Sequence, residues 1–287
     1  MHNFIHRPRA VTLATAVALT AFLGACSLPD TVAPLAHGGA PGSDPQSSLI
    51  RVADSAWNAG DTNTALALYR KAADAEPVSS VAINRYGNAL IHVGAAQDAV
   101  PVFRRVLGFE PKNADSLRGL GNALVALGQG PLGGSQFEAA LQSDPSDWRA
   151  MNGLGVVRDM EGRHNDAQAL YRQALTLAPD SGAVRNNLGL SLAMSGNYPE
   201  AIRVLEPLGR QPRASARHSL NLALVYGLAN QPERAAQVAR AHLDESSVQR
   251  NLEYYAMLRG MDPEARRQAL RANPAYFPGN GGSAAPG

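Results

Sequence analysis

One cysteine, seven histidines and a recurrent set of asparagines are the side chains with chemistry to offer in this 287-residue chain. A lone cysteine forbids an intrachain disulfide and any cysteine-based metal cluster. The histidines lie at 2, 6, 37, 92, 164, 218 and 242, and none pairs with another at metal-ligand spacing on a predicted helix. There is no HExxH, no Walker A loop, no GxGxxG after a strand and no GxSxG. The acidic residues are spread one or two to a segment, as on a solvated face. The expectation is a protein that is not an enzyme, with no catalytic residues, no metal and no cofactor. Charge narrows the partners. Arg7 and Arg9 supply the whole excess of 26 basic over 24 acidic residues. The rest of the chain is neutral, which excludes nucleic acid, because phosphate binding needs a basic excess on one face.

The cysteine is placed to do something specific. Residues 1–9 carry Arg7, Arg9 and no acid, and Ala10 to Leu23 is an uncharged run of 14 residues. Such a run is shorter than the roughly 20 residues that span a bilayer and suits a secretory leader. It ends in Leu23-Gly24-Ala25-Cys26, which resembles the bacterial lipobox. That resemblance implies cleavage after residue 25 and lipidation of Cys26. It also implies an outer-membrane destination, since Ser27 rather than aspartate follows the cysteine. Two or more acyl chains give stable anchoring where one does not. Residues 26–47 are rich in Pro, Gly, Ser and Asp and read as a disordered tether. Treated as a flexible coil, such a tether reaches roughly 25 Å.

Beyond the tether the chain repeats. Pro77, Pro111, Pro145 and Pro179 are 34 residues apart, as are Gly60, Gly94, Gly128, Gly162 and Gly196, with Asn230 next in line. Alanines at 65, 99, 167, 201 and 235 keep the same frame, with Gly133 in the remaining place. Tyr69, Phe103, Phe137, Tyr171 and Leu205 follow four residues later. This period resembles the tetratricopeptide repeat (TPR), a unit of two antiparallel helices A and B. The resemblance implies an all-α superhelical solenoid. Six units start at 46, 80, 114, 148, 182 and 216 and fill residues 48–245. Residues 246–272 read as capping helices with an apolar face of Val248, Leu252, Tyr255 and Leu258, and 273–287 as a disordered tail.

Each column has a physical task. Gly or Asn between helices A and B takes the left-handed conformation that ends a helix. Gly87, Gly121, Gly155 and Gly189 let helix B approach, the ring on helix B fills the gap to the next unit, and the proline stops helix B. Aspartate or serine before helix B is expected to cap it. Three places depart from the pattern, the first being the sixth unit, which lacks the ring and the proline, as expected near the end of an array. Gly130-Pro131-Leu132-Gly133-Gly134 is either a weak point or a tight helix contact, and Pro207 should kink or shorten its helix.

In a TPR array helix A lines the concave side, with unit positions 2, 5, 9 and 12 facing inward. Asparagine recurs there, and with one arginine it makes the predicted partner-binding groove: Asn84, Asn88, Arg118, Asn122, Asn152 and Asn186. An amide both donates and accepts, so such a groove suits an extended peptide or a partner helix. The alternative is that asparagine only solvates the inner face. Arg118 with Asn122 resembles half of a carboxylate clamp, but Gly153 stands where the other half needs asparagine.

The segments Leu205-Glu206-Pro207-Leu208, Ser219 to Ala229 and Val248 to Tyr255 resemble the TadD-type TPR lipoproteins of the tight-adherence (Flp) pilus system. That resemblance implies a lipid-anchored scaffold on the periplasmic face of the outer membrane. Its partners would be the pilus secretin or other parts of the secretion machine. Two other readings stay open: a pilotin for type IV pili, and an adaptor for a periplasmic protease or peptidoglycan hydrolase. Anchoring should rest on one thiol. Cys26→Ser is expected to move the protein out of the membrane fraction and to abolish palmitate labelling; a variant that stays in the outer membrane would show that the cysteine is not the anchor.

Overall fold

The computed structural model describes residues 45–210 and 214–272, and every regular element among them is an α-helix. Cys26, the tail 273–287 and all but the last three residues of the predicted tether lie outside the described residues. Those three, 45–47, belong to the first helix.

Five pairs follow the 34-residue frame: α1 (Pro45–Asn58) with α2 (Thr62–Ala73), α3 (Ser80–His92) with α4 (Ala96–Phe109), α5 (Ala114–Ala126) with α6 (Gly130–Ser143), α7 (Trp148–Met160) with α8 (His164–Leu177), and α9 (Gly182–Met194) with α10 (Tyr198–Gly209). A sixth pair, α11 (Ala216–Leu228) and α12 (Pro232–Ala239), has a short second helix. Then come α13 (Glu245–Gly260) and α14 (Pro263–Ala272). Each helix packs on the one before and after it. Successive A helices also lie against one another, which successive B helices do far less. The A side is therefore the shorter, inner side of the stack, and α13 continues the A row.

The turn column does what its residue types require. Gly60, Gly94, Gly128, Gly162 and Gly196 have φ between 75° and 85°, and Asn230, the one non-glycine in the column, has φ 59°. Capping differs from expectation. The side-chain caps form a column before helix A, where Ser79, Asn113, Asp147, Ser181 and Ser215 each accept a backbone N–H of the first turn. Before helix B only Asp61 and Asn197 do so, while α4, α6, α8 and α12 have no side-chain cap. There the left-handed turn itself closes the junction, as in the bond from the Ala95 N–H to the Leu90 carbonyl at 2.9 Å.

Helix spacing is set by rings on glycines. The Phe103 ring lies 2.7 Å from where a Cβ on Gly87 would be and also closes on Gly119 in the next unit. Phe137 sits in the same way between Gly121, at 2.7 Å, and Gly153, at 2.5 Å. The glycine cluster resolves as a tight contact. Gly130 to Gly134 is regular helix, and a Cβ on Gly133 would meet the Gly121 carbonyl at 2.8 Å. Pro207 lies inside α10, which runs two residues past it to Gly209 and has 12 residues, as α2 does without an internal proline. Of the predicted capping face, Val248, Tyr255 and Leu258 are buried and Leu252 is half-buried, in a cluster that runs from the fourth unit to the end of the stack.

Two glycines separate packing from propensity. A Cβ on Gly155 would stand 2.5 Å from the Tyr171 ring, so Gly155→Leu should cost about 3 kcal/mol or more. Gly108, inside α4, has nothing within 4 Å of its Cβ position, so Gly108→Ala should stabilise by about 0.5–1 kcal/mol. Chemical denaturation reads both; equal midpoints for wild type and Gly155→Leu would rule out close packing at that column.

Candidate functional site

The six groove residues fall on two columns, and the structure treats the columns differently. Asn84, Arg118, Asn152 and Asn186 share the fifth position of helix A. Each reaches forward to the next helix A: Asn84 and Arg118 to its cap or first turn, Asn152 and Asn186 to its sixth residue. Asn84 accepts from the Ser116 hydroxyl at 2.7 Å and donates to Asn113, the cap of α5, at 3.3 Å. Arg118 donates to Asp147, the cap of α7, and to Asp115 on its own helix. Asn152 accepts from the Asn187 amide at 3.0 Å, and Asn186 accepts from the Asn221 amide at 2.8 Å. Asn84 and Asn186 are only 7% and 1% exposed. The expectation that these four groups line the groove free of other duties is therefore corrected. They are links between neighbouring units, made necessary because polar atoms buried between helices must find partners.

Asn88 and Asn122 occupy the ninth position, one turn further along. Both are half-buried, and neither makes a side-chain hydrogen bond among the described residues. Arg149, at the second position of α7, is half-buried near Arg118 and Asp147. Its guanidinium stacks over the Trp148 ring, 4.2 Å from the centroid. Burial and then the neighbouring Arg118 push its pKa down. At Arg118 burial also works against the charge, but Asp147 and Asp115 outweigh it and hold that pKa above the ordinary value. Arg118 is thus spent on its own carboxylates, whereas Arg149 has its face on an aromatic and its edge available.

A buried polar knot lies deeper, between the fourth and fifth units. The Asp159 carboxylate accepts from the Ser191 hydroxyl at 2.7 Å, from Tyr171 at 3.0 Å and from His164 Nδ1 at 2.8 Å. Burial and this carboxylate drive the Tyr171 pKa far up. Nothing catalytic follows from it: the Ser191 hydroxyl bonds the carboxylate rather than the imidazole. Like the fifth-position links, it ties one unit to the next.

The chain matches tetratricopeptide-repeat models over residues 52–116, 118–181 and 160–224, more than half its length. It belongs to the tetratricopeptide-repeat family. No curated protein sequence matches it. Among solved structures it is similar to a thermophilic TPR protein of Thermus thermophilus, at 19% identity and TM-score 0.57, over 63% of this chain and 98% of the other. It is also similar to the pilF protein of Pseudomonas aeruginosa, at 19% identity and TM-score 0.58, over 74% and 97% of the two chains. A TPR protein of Parabacteroides merdae aligns at 17% identity and TM-score 0.52, over 79% and 97%. At such identities the likeness shows the fold alone. TPR arrays are typically non-catalytic scaffolds that bind other proteins on an extended inner surface.

Sequence reasoning missed two features. The cap column at 79, 113, 147, 181 and 215 was present as a further 34-residue series, of small polar residues. The fold-back of α14 onto the stack left no periodic signal. The two groove columns should separate in stability measurements. Asn186→Ala strands the buried Asn221 amide and should cost about 1–3 kcal/mol. Arg118→Ala leaves the buried Asp147 carboxylate its two backbone bonds but removes its counter-charge, and should cost about 2 kcal/mol. Asn122→Ala should stay within about 0.5 kcal/mol of wild type. Similar losses for all three in urea denaturation would erase the distinction.

Proposed function

We propose that this protein is a non-enzymatic lipoprotein scaffold, held by Cys26 at the periplasmic face of the outer membrane, that binds protein partners on the inner face of its TPR array during Flp (tight-adherence) pilus assembly. The observation that carries partner binding is the set of Asn88 and Asn122, at the ninth position of helix A, and Arg149, at the second. These are half-buried polar groups, on three consecutive A helices, that the chain's own hydrogen bonds leave available. A peptide backbone laid along the inner face would meet two amides able to donate and accept, and a guanidinium held rigid by Trp148. The pilus assignment rests on the lipobox and on the resemblance of the segments in α10, α11 and α13. A pilotin for type IV pili is the second reading, and the shared fold of the pilF protein suits it equally well. The adaptor for a periplasmic protease or peptidoglycan hydrolase is the third.

The triple variant Asn88→Ala, Asn122→Ala, Arg149→Ala tests the binding face. It should keep its helical circular dichroism and its membrane location. Lost hydrogen bonds of about 0.5–1.5 kcal/mol each should weaken partner capture about tenfold or more. The readout is crosslinking from the native envelope followed by mass spectrometry, with recovery of the secretin expected for wild type. Undiminished capture by the triple variant would move the working surface elsewhere, and recovery of a protease or hydrolase in place of secretion components would favour the adaptor.

A further inference from the structure

The outer side of the stack carries its charge unevenly. Positions 25 and 26 of each unit lie on the outer side of helix B. In the first unit they are Arg70 and Lys71 and in the second Arg104 and Arg105, all four exposed. Later units hold Glu138-Ala139, Arg172-Gln173, Glu206-Pro207 and Arg240-Ala241. A basic pair in the last turn of α2 suits any helix C-terminus, but Arg104 and Arg105 lie too far from the end of α4 for that effect. Arg70 and Arg105 share Asp74, at 3.7 and 3.5 Å, in an exposed arrangement that contributes little to stability. Lys71 and Arg104 form no ion pair among the described residues. The four bases outnumber Asp74 and Glu76 by two, and Lys112 and Glu110 in the next loop offset one another.

The chain enters the stack at the same place. Gln46, the second residue of α1, donates to the Ala72 carbonyl at 2.7 Å, next to Lys71. Arg105 donates to the Ala73 carbonyl at 3.2 Å. The start of α1, the last turn of α2 and the bases of α4 therefore meet at one corner. Phe109, 48% exposed, adds an apolar side chain at the end of α4. Only residues 27–44 separate this corner from Cys26 in the sequence, and treated as a flexible coil such a stretch reaches roughly 25 Å. The C-terminal third holds more bases. There, however, Arg203, Arg210, Arg234, Arg240 and Arg267 are paired with glutamates, and that end of the stack is the far one from α1.

We propose that the outer corner built by α2 and α4 docks on the anionic phospholipid headgroups of the membrane that holds the protein, so that the stack stands on its first two units. The inference rests on the anchoring at Cys26 proposed above. A basic side chain at an anionic surface strengthens binding about fivefold, and the attraction fades within a Debye length of about 8–10 Å. An excess of two charges is thus too small to recruit the protein from a distance. A lipid anchor changes this, because it keeps the corner at a high effective concentration beside the surface, where a weak patch suffices to fix orientation. The bases stand on helix B, so docking leaves the A helices, with Asn88, Asn122 and Arg149, open to a partner.

Vesicle co-sedimentation tests the corner without the anchor. The protein lacking residues 1–26, all of which precede the first helix, is mixed with vesicles of phosphatidylglycerol or of phosphatidylcholine. Salt is held at about 0.1 M, where charges more than about 10 Å from the bilayer are screened. Binding to phosphatidylglycerol should be at least tenfold tighter than to phosphatidylcholine. Lys71→Glu with Arg104→Glu should weaken it at least tenfold. Arg172→Glu with Arg240→Glu makes the same change in net charge at position 25 of units four and six, and should weaken it less than threefold. Equal binding to the two lipids, or equal losses in the two double variants, would overturn the proposal. If the Lys71/Arg104 glutamate variant loses its helical circular dichroism, Lys71→Gln with Arg104→Gln replaces it and should weaken binding at least threefold; no loss there would overturn the proposal as well. None of these outcomes bears on palmitate labelling of Cys26 or on capture by Asn88, Asn122 and Arg149, so the readings fail separately.

Discussion

A ring seated between two glycines sets the geometry from which the rest of this stack follows. Phe103 touches the helix A backbone of its own unit at Gly87 and that of the next at Gly119, and Phe137 repeats the contact with Gly121 and Gly153. Because each ring bridges two units, one side chain fixes both the spacing inside a pair and the step to the next pair. The glycines therefore cannot be exchanged for better helix formers, although each costs about 1 kcal/mol against alanine in a helix interior. This also explains why Gly153 interrupts the clamp-like pattern begun by Arg118 and Asn122. A polar side chain there would stand where the Phe137 ring lies.

Close approach of the A helices creates the second constraint. Polar side chains on facing sides of neighbouring helices are pulled out of water together and must satisfy one another. The fifth position answers this four times with different chemistry: amide to hydroxyl, guanidinium to carboxylate, and two amide pairs. The links also fix register, since a slip of one turn would leave Asn221 and Asn186 buried without each other. One turn away, the ninth-position residues Asn88, Asn122 and Val156 are half in solvent. The same residue type, asparagine, is thus a joint at one position and an available contact at the other.

This division explains how much could be read from the sequence. The architecture was legible because TPR geometry writes itself into residues with few substitutes: φ above 75° needs glycine, and a ring needs a glycine opposite. Unit boundaries, the turn column and the sockets under the rings all follow from the 34-residue frame. The groove was legible only as a face. Nothing local distinguishes Asn84 from Asn88, because the difference lies in how near the next helix comes, a property of the stack. Arg149 looked like one inward charge among several until Trp148 proved to lie beneath it. The helix B caps were misassigned because a glycine turn already returns the next amide to helix A, which relieves pressure for a side-chain cap there. The caps sit before helix A instead, at a junction without such a turn.

The core is not shared evenly along the stack, and this bears on how the inner face works. From the fourth unit onward a single cluster runs through to Leu270, whereas the first three units hold smaller, separate clusters around Phe103, Phe137, Tyr69 and Ile83. In a stack whose stability is a sum of unit and neighbour terms, the N-terminal units lean more on their interfaces. Those interfaces are where Asn84 and Arg118 make their links, and Asn88, Asn122 and Arg149 lie beside them. The Phe103 cluster reaches from α3 to α5 and the Phe137 cluster from α5 to α7, so a partner laid across α3, α5 and α7 would run along units that both clusters already join. The half-buried, polar stretch lies on the side nearer to Cys26 in the sequence.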